Sequence, residues 1–583
     1  PAQARRNRLV VLAVCGVGWV AAGLLFYRNF PVMRTADGRW LQEYGWLARA
    51  GLPDGAAVWL SDDPRHLWPV QAVLQRQREA PAHLAVDTRL LTFPDYHEAL
   101  RRRSEGLWPA PPTNAPPGPL DPVWLIDRVL RVAEARPIYY LHPSFGYYFE
   151  YFAPRPHGLV WELRRYRPEE ILPEPWEAEV VERNRRFWEQ MAEGSLAQLR
   201  RGLGLVGTTN LLDRLLLRLR VGRPVLPDVR WLAGSHSRAL TWWGVQLQRL
   251  GRWPEAGRCF ARALELNPQN LVAQVNAEYN RSVQAGKPTR VTLSGPVEDQ
   301  FRMYRNWDQV IGENGPFDEP TFCYEQGRVF AQSGLLRQAL GEFERVRQLA
   351  PEDLPSRLWL GHLYLMVRQP AHALRVIEEV TGQPARFGLS LTNQIELLGL
   401  EAMARYALGQ REQTYTLVER AVGTGPTNHY LLAVCAQVYL RAGEWTRAIA
   451  LFDRQLQVMP ADTDALMNKG YACLQAGRYD EAVSVLDRLL SLQTNNHPAL
   501  LNRAIAHLRR GTLDEAWRDY QQLAVLYPRA YQVQYGLAEI AWLRRDTNTA
   551  IQHYEAYLES APLQTVEASN VVERLRQLKG GTP

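Results

Sequence analysis

Residues 242–276 read WWGVQLQRLGRWPEAGRCFARALELNPQNLVAQVN. Within this run Gly244, Ala256, Phe260, Ala263 and Pro268 fall at intervals that recur down the chain. The same spacing returns as Gly327, Ala339, Phe343, Val346 and Pro351, and as Gly470, Ala482, Leu486 and Leu489. It returns again as Ala504, Ala516, Tyr520, Leu523 and Pro528, and as Ala538, Ala550, Tyr554, Tyr557 and Pro562. The small anchors are Gly244, Gly327, Gly361, Ala402, Ala436, Gly470, Ala504 and Ala538, and every step from Ala402 to Ala538 is 34 residues. A fixed period of this length means stacked units, each too small to bury its apolar face alone. A small residue on each of two helices lets their backbones approach. The large residue four positions on is expected to fill the space against the next unit, and Pro stops the second helix.

This pattern resembles the tetratricopeptide-repeat (TPR) family, whose unit is a 34-residue helix–turn–helix. The second small position is Ala in seven of eight units, with Thr414 the exception. Two steps depart from 34. Gly361 to Ala402 is 41, placing about seven extra residues near Thr381–Leu389. Gly244 to Gly327 is 83, which fits one unit interrupted by an insertion. Its helices are expected at Leu271–Gln284 and Val297–Val310, with Lys287–Gly295 protruding near 286–296. The resemblance implies an α-solenoid that presents a groove, lined by first helices, to a protein or peptide. Carried onto this sequence, the groove positions are Tyr324, Arg328, His362, Gln437, Arg441, Tyr471, Arg509 and Tyr535. Arg and Tyr suit a binding face because both supply contact area and donors. The Lys and Asn of the carboxylate-clamp variety are absent from the matching positions.

Outward from the repeats the chain changes character. Leu9–Tyr27 (LVVLAVCGVGWVAAGLLFY) passes nineteen residues without a charge, about 28 Å as a helix, which matches the hydrocarbon thickness of a bilayer. Arg5, Arg6 and Arg8 precede it, so the N-terminus is expected inside and the bulk extracytoplasmic, in the periplasm. Arg28 after the span works against that orientation. A cleaved signal peptide is the rival reading, but YRNFPVMRTADG after the run offers no good cleavage site. The chain begins with Pro1, so the span could be the last of several in a longer membrane protein.

Residues 35–170 alternate strand-like and helix-like runs. Strands are expected at Ala56–Leu60, His83–Leu91, Pro137–Leu141 and Leu159–Tyr166. Helices are expected at His66–Arg78, Tyr96–Arg103 and Leu125–Ala133. The alternation implies a small α/β domain with a partly parallel sheet. Six of the twelve residues Trp108–Pro119 are Pro, which reads as an extended loop. Residues 171–234 read as a helical bridge, with helices at Trp176–Leu199 and Leu211–Val221, capping a repeat array over 235–565. A terminal helix and tail cover 566–583. The fold class is mainly α: a TPR solenoid preceded by a small α/β domain and one N-terminal transmembrane helix.

One constellation in the α/β region has the residue types for chemistry. Ser61-Asp62-Asp63-Pro64-Arg65-His66 follows the first strand, and ligands of α/β sheets gather at strand carboxyl ends. Asp62, Asp63 and His66 there would suit a metal or acid–base work. The competing reading is an Asp-Pro helix start, the acid capping free N–H groups. Asp87 is expected near the same edge. Tyr139, Tyr140, Tyr147, Tyr148, Tyr151 and Trp161, near His142, suit either a sugar- or peptide-binding surface or strand packing. The chain has no Gly-rich phosphate loop, no G-x-S-x-G elbow and no H-E-x-x-H. Cys15, Cys259, Cys323, Cys435 and Cys473 have no metal-ligand spacing. The net charge of +7 is spread among acids, against a nucleic-acid partner.

Ala57–Leu74 (AVWLSDDPRHLWPVQAVL), Val86–Leu91 (VDTRLL), Arg136–Leu141 (RPIYYL) and the run 242–276 also resemble the soluble tails of bacterial multi-spanning proteins. Those are related to GT-C glycosyltransferases, including protein O-mannosyltransferases. The resemblance implies a non-catalytic, acceptor-recognising tail, since GT-C enzymes carry their catalytic acid between early membrane spans. Together these readings predict a membrane-anchored scaffold holding a protein or peptide partner, with no enzyme activity, cofactor, metal or nucleic acid, and with self-association as a further option.

Overall fold

The computed structural model describes residues 2–35, 39–77, 83–104, 106–110, 120, 122–204, 225–287, 301–302, 304–561 and 565–580. Residues 111–119 of the Pro-rich stretch, the Leu211–Val221 helix, residues 288–295 of the protrusion and Pro562 lie outside them. The chain is mostly helical and divides into two compact units, 1–356 and 357–583.

The first unit opens with the helix Ala2–Thr35. Its segment Val10–Phe30 is long and apolar enough to cross a membrane, and none of it is buried against the protein. A five-stranded sheet follows, in the order β2-β1-β3-β5-β4. These strands are β1 (Val58–Ser61), β2 (Leu84–Asp87), β3 (Ile138–Tyr140), β4 (Phe152–His157) and β5 (Val160–Arg165). β1 pairs in parallel with β2 (Leu60 opposite Val86) and with β3 (Leu60 opposite Tyr140). β5 runs antiparallel to β3 and to β4. Side chains alternate across the sheet. Val58, Leu60, Val86 and Tyr140 join Leu100, Ile126 and Val129 in one core. Trp59 and Tyr139 face the other way and enter a core that runs on through Trp188 to Trp243 and Phe260.

Four elements differ from expectation, the first being the strand expected at His83–Leu91, which ends at Asp87 because Thr88–Thr92 turns into a 3-10 helix whose start Asp87 caps. The strand β4 was not anticipated because it contains Pro154 and Pro156, which cannot donate to a ladder; it lies at the sheet edge, where that loss is tolerated. The helix Arg39–Ala50, also unanticipated, packs on Pro64–Gln77 with Gly45 at the contact, where a Cβ would lie 2.5 Å from the Pro69 carbonyl oxygen. In the bridge, the expected single helix breaks at Gly194 into Ala178–Glu193 and Ser195–Gly202.

The repeats begin with the pair Pro227–Arg249 and Trp253–Leu266. Leu271–Gln284 follows as expected, but the described helix opposite it is Trp307–Asn314, started by Asn306, whose side chain accepts from Gln309 N. The pair Pro320–Gln332 and Leu336–Leu349 completes this series. The anchors explain the packing, with one correction. Tyr520 packs against Gly536 of the next repeat, as expected, but Phe260 and Phe343 lie against Gly244 and Gly327 of their own repeat, where the missing Cβ opens the gap within the pair.

The second unit takes in the helix Leu354–Met366 from Arg357 on and the helices that follow to Thr547–Ser560, and ends with Ala568–Leu578. The extra residues after Thr381 form the short helix Pro384–Phe387, closed by Gly388 in the left-handed region (φ 56°). Thr414, the exception to Ala, is fully buried, and its hydroxyl donates to Gln410 O at 3.0 Å.

Candidate functional site

The parallel strands leave β1 flanked by β2 on one side and β3 on the other. The crevice at the carboxyl ends of β1 and β3 is where a sheet of this kind takes a ligand. Ser61 ends β1 there, Asp62 follows it, and His142 follows β3. His142 Nε2 lies 3.0 Å from Asp62 Oδ1 and 3.0 Å from Ser61 Oγ, and His142 Nδ1 is 3.2 Å from Pro143 O. Acid and hydroxyl thus meet the same ring nitrogen. A nucleophile–base–acid relay needs them on opposite nitrogens, so this is not one.

The other two predicted members serve elsewhere. Asp63 accepts from Arg65 N at 2.9 Å and from the Arg65 guanidinium at 2.8 Å, holding the start of Pro64–Gln77. His66 is buried, its Nδ1 2.5 Å from the Tyr44 hydroxyl. Asp87 accepts from Arg89 N at 3.1 Å and pairs with its guanidinium. Tyr139, Tyr140 and Trp161 are core residues, while Tyr147, Tyr148 and Tyr151 pack at the rim of the same core.

The first repeat helix closes the crevice. From Pro227–Arg249, the Trp231 ring lies tilted 4.9 Å from the His66 ring, His236 lies 6.1 Å from Tyr44, and Arg238 Nη1 donates to Gly312 O at 2.6 Å. Titration follows from that closure. Burial depresses His66 well below its usual range, helped by the charges of His142 and Arg238, and burial alone holds His236 at about 4. Burial works to raise the Asp62 carboxyl, but the hydrogen bond and charge of His142, with Arg238, outweigh it and hold the group at about 2. No cluster of His, Cys, Asp and Glu among the described residues could hold a metal ion. The buried thiols of Cys259, Cys435 and Cys473 are pushed up to about 12 by burial, so they are packing groups.

A second contact joins the sheet domain to the repeats. Glu150 accepts from Arg337 N at 2.8 Å and from Gln338 N at 3.1 Å, capping a helix that has no side-chain cap of its own. Arg337 donates to the carbonyls of Glu170 and Ile171, and its guanidinium lies over the Tyr166 ring at 4.4 Å. Beside this contact is a cleft of about 370 Å³ whose walls include Tyr166, Trp176, Trp242, Gln246, Arg249 and Phe330. Behind it, Asp318 is fully buried and bound by Arg345 at 2.7 Å and by Arg249 at 3.3 Å, with Glu342 taking the rest of Arg249 at 2.9 Å.

All eight predicted groove residues fall on first helices of their pairs. In the first unit, Tyr324 lies edge-on to Phe343, and Arg328 pairs with Glu325 at 2.9 Å. In the second unit His362 pairs with Glu396 at 3.0 Å, and Tyr471 lies edge-on to Trp445. Gln437 and Tyr535 are half-buried, whereas Arg441 and Arg509 are exposed with no ion-pair partner among the described residues. What the sequence reading missed is the apolar company these residues keep. Met366 (62% exposed) and Leu543 (55%) lie on the same first helices, with Tyr430, Met403 and Met467 between them in the chain. Position within the 34-residue period was the available signal.

Comparison with known proteins bears on the repeats. A family model described as "Tetratricopeptide repeat" matches residues 435–497 and 501–564, and a second of that description matches residues 237–270. Cellulose synthase operon protein C of Xanthomonas axonopodis pv. citri (strain 306) is 23% identical over 253 residues, 42% of this chain and 16% of that protein. The chain therefore spans about a sixth of the length of this curated relative. Among solved structures, a tetratricopeptide repeat protein from Parabacteroides merdae ATCC 43184 aligns at 15% identity and TM-score 0.33, over 45% of this chain and 99% of that one. PilW, a type IV pilus biogenesis factor, aligns at 18% identity and TM-score 0.28, over 32% of this chain and 87% of that one. The matched family segments coincide with the helix pairs described above: this chain carries tetratricopeptide repeats.

Proposed function

We propose that the chain is a membrane-anchored scaffold whose second unit holds a protein or peptide partner on the extracytoplasmic side. The observation that carries this reading is the character of the first helices in that unit. They leave Met366, Tyr430, Tyr471 and Leu543 exposed, and Arg441 and Arg509 are exposed on first helices of the same unit. Met366 and Leu543 each lie five residues after their small anchors, as Arg441 and Arg509 do after theirs; exposed apolar side chains that recur in this way mark an interaction surface, and two cations with no ion-pair partner among the described residues add a preference for a partner segment that carries acids. The sheet domain serves this role by docking on the first repeats, its ligand crevice being filled by Trp231, His236 and Arg238. The Val10–Phe30 helix supplies the anchor, and the arginines before it orient the bulk outward.

The test is co-purification from cells with the full chain and with Arg441→Glu/Arg509→Glu. A specific partner recovered with the parent and lost with the charge-reversed variant supports the reading. Equal recovery of every partner rejects it.

A further inference from the structure

The helices Arg39–Ala50 and Pro64–Gln77 each turn a stripe to solvent beside the first repeat helix, whose Trp231 ring lies under the Arg65 guanidinium at 5.5 Å. On the first, Arg39, Gln42 and Trp46 are among the exposed positions; on the second, Arg65, Trp68, Ala72 and Arg76 are. Both stripes follow helical spacing, i, i+3, i+7. Trp68 is 64% exposed and Trp46 41%, a rare position for the largest apolar side chain. Between the helices runs a groove lined by Leu41, Gln42, Arg65, Trp68, Ala72 and Arg76. Pro64–Gln77 contains no acid, and the only one on Arg39–Ala50 is Glu43, whose carboxylate receives the Ser195 hydroxyl. Asp63 is bound to Arg65, and Asp228 borders the groove. The surface is aromatic, and its arginines, Arg39, Arg65 and Arg76, outnumber its acids, Asp63 and Asp228.

Covalent reach limits where this surface can go. The membrane-length segment ends at Phe30, and its helix runs five residues further to Thr35, about 8 Å of rise. The four steps from Thr35 to Arg39 span at most about 14 Å. The helix Arg39–Ala50 therefore starts no more than about 22 Å beyond the end of the segment, two helix diameters.

We infer that this Arg/Trp face rests on the membrane surface, with Trp46 and Trp68 at headgroup depth and Arg65 and Arg76 against anionic lipid phosphates. Trp is the side chain enriched at that depth, and basic groups near the surface gain from anionic lipid. The inference rests on the reading of Val10–Phe30 as a retained span.

The test uses the full chain with Cys15→Ser, the other four cysteines being buried, reconstituted in vesicles of phosphatidylcholine with and without phosphatidylglycerol. Single cysteines at Ala72→Cys, Gln42→Cys and, as a solvent control, Val525→Cys carry an environment-sensitive probe. With phosphatidylglycerol present, aqueous iodide is expected to quench the probes at 72 and 42 about threefold less than the probe at 525. Arg65→Glu/Arg76→Glu, at unchanged helix content, is expected to bring them toward the control. Equal quenching at all three sites, in a chain that stays with the vesicles through alkaline carbonate, overturns the docking and leaves the anchor standing. Release by carbonate overturns the anchor and the docking with it.

Discussion

The side-chain amide of Gln338 and the backbone of Gly146 pair in both directions: Gln338 Nε2 donates to Gly146 O at 3.0 Å, and Gly146 N donates to Gln338 Oε1 at 2.9 Å. The same Nε2 also donates to Glu150 at 2.8 Å, and Glu150 caps the helix that carries Gln338. One glutamine therefore fastens the sheet domain to the repeats. Glu150→Ala removes the acceptor of two helix-terminal N–H groups and is expected to cost about 1–2 kcal/mol. Gln338→Glu should cost more than Gln338→Ala, because it sets a second carboxylate against Glu150. Urea unfolding of the detergent-solubilised chain measures both.

Asp318 is a buried carboxylate whose charge is answered by Arg345 and Arg249. Asp318→Ala leaves two guanidinium groups without that partner, a change expected to cost about 3–5 kcal/mol. Asp318→Asn should fall between the parent and Ala, since it keeps acceptors but not the charge. A thermal shift series orders the three.

A Cβ on Gly244 would stand 2.6 Å from Phe260 Cε1, so the ring must move. Gly244→Ala is expected to destabilise by about 1–3 kcal/mol through overpacking. Phe260→Leu shortens the side chain in question. The double variant should therefore be more stable than the sum of the single losses, and a double-mutant cycle by chemical denaturation reads that difference.

Acid should loosen the first unit. His236 is held at about 4 in the fold against an ordinary 6.5, so the folded chain binds fewer protons than the unfolded chain. Its contribution is complete above about 6.5 and falls away as pH drops toward 4. His66 shifts in the same direction and adds to the loss. Asp62, at about 2 against an ordinary 3.8, withdraws its contribution at lower pH, between 3.8 and 2. Unfolding midpoints from pH 7 to pH 4 should decline, and His236→Gln should flatten the decline.

Legibility followed the range of the interactions. The anchors Gly244, Gly327 and Gly470 repeat because each must fit one large residue sixteen positions on, Phe260, Phe343 and Leu486, and so local a constraint is written in the spacing. The strand β4 was hidden by its own Pro154 and Pro156. Asp62, Asp63 and His66 are adjacent in sequence, yet they take different partners, His142, Arg65 and Tyr44. Those partners come from the segment after β3, from the helix itself and from Arg39–Ala50, and no local pattern announces them. The pairing of Gln338 with Gly146 spans 192 positions, and nothing in either neighbourhood signals the other. For the groove, the 34-residue register located the first-helix positions, whereas the exposure of Met366 and Leu543 depends on packing.

The central claim is that the first helices of the second unit receive a partner. A photo-crosslinking amino acid placed at Tyr471, at Tyr535 and, as a control, at Leu492 in the full chain tests it in intact cells; Leu492 ends a second helix and is exposed. The account predicts one discrete adduct from positions 471 and 535 and none from 492, diminished by Arg441→Glu/Arg509→Glu. Adducts of equal yield at all three positions, or from 492 alone, would contradict it.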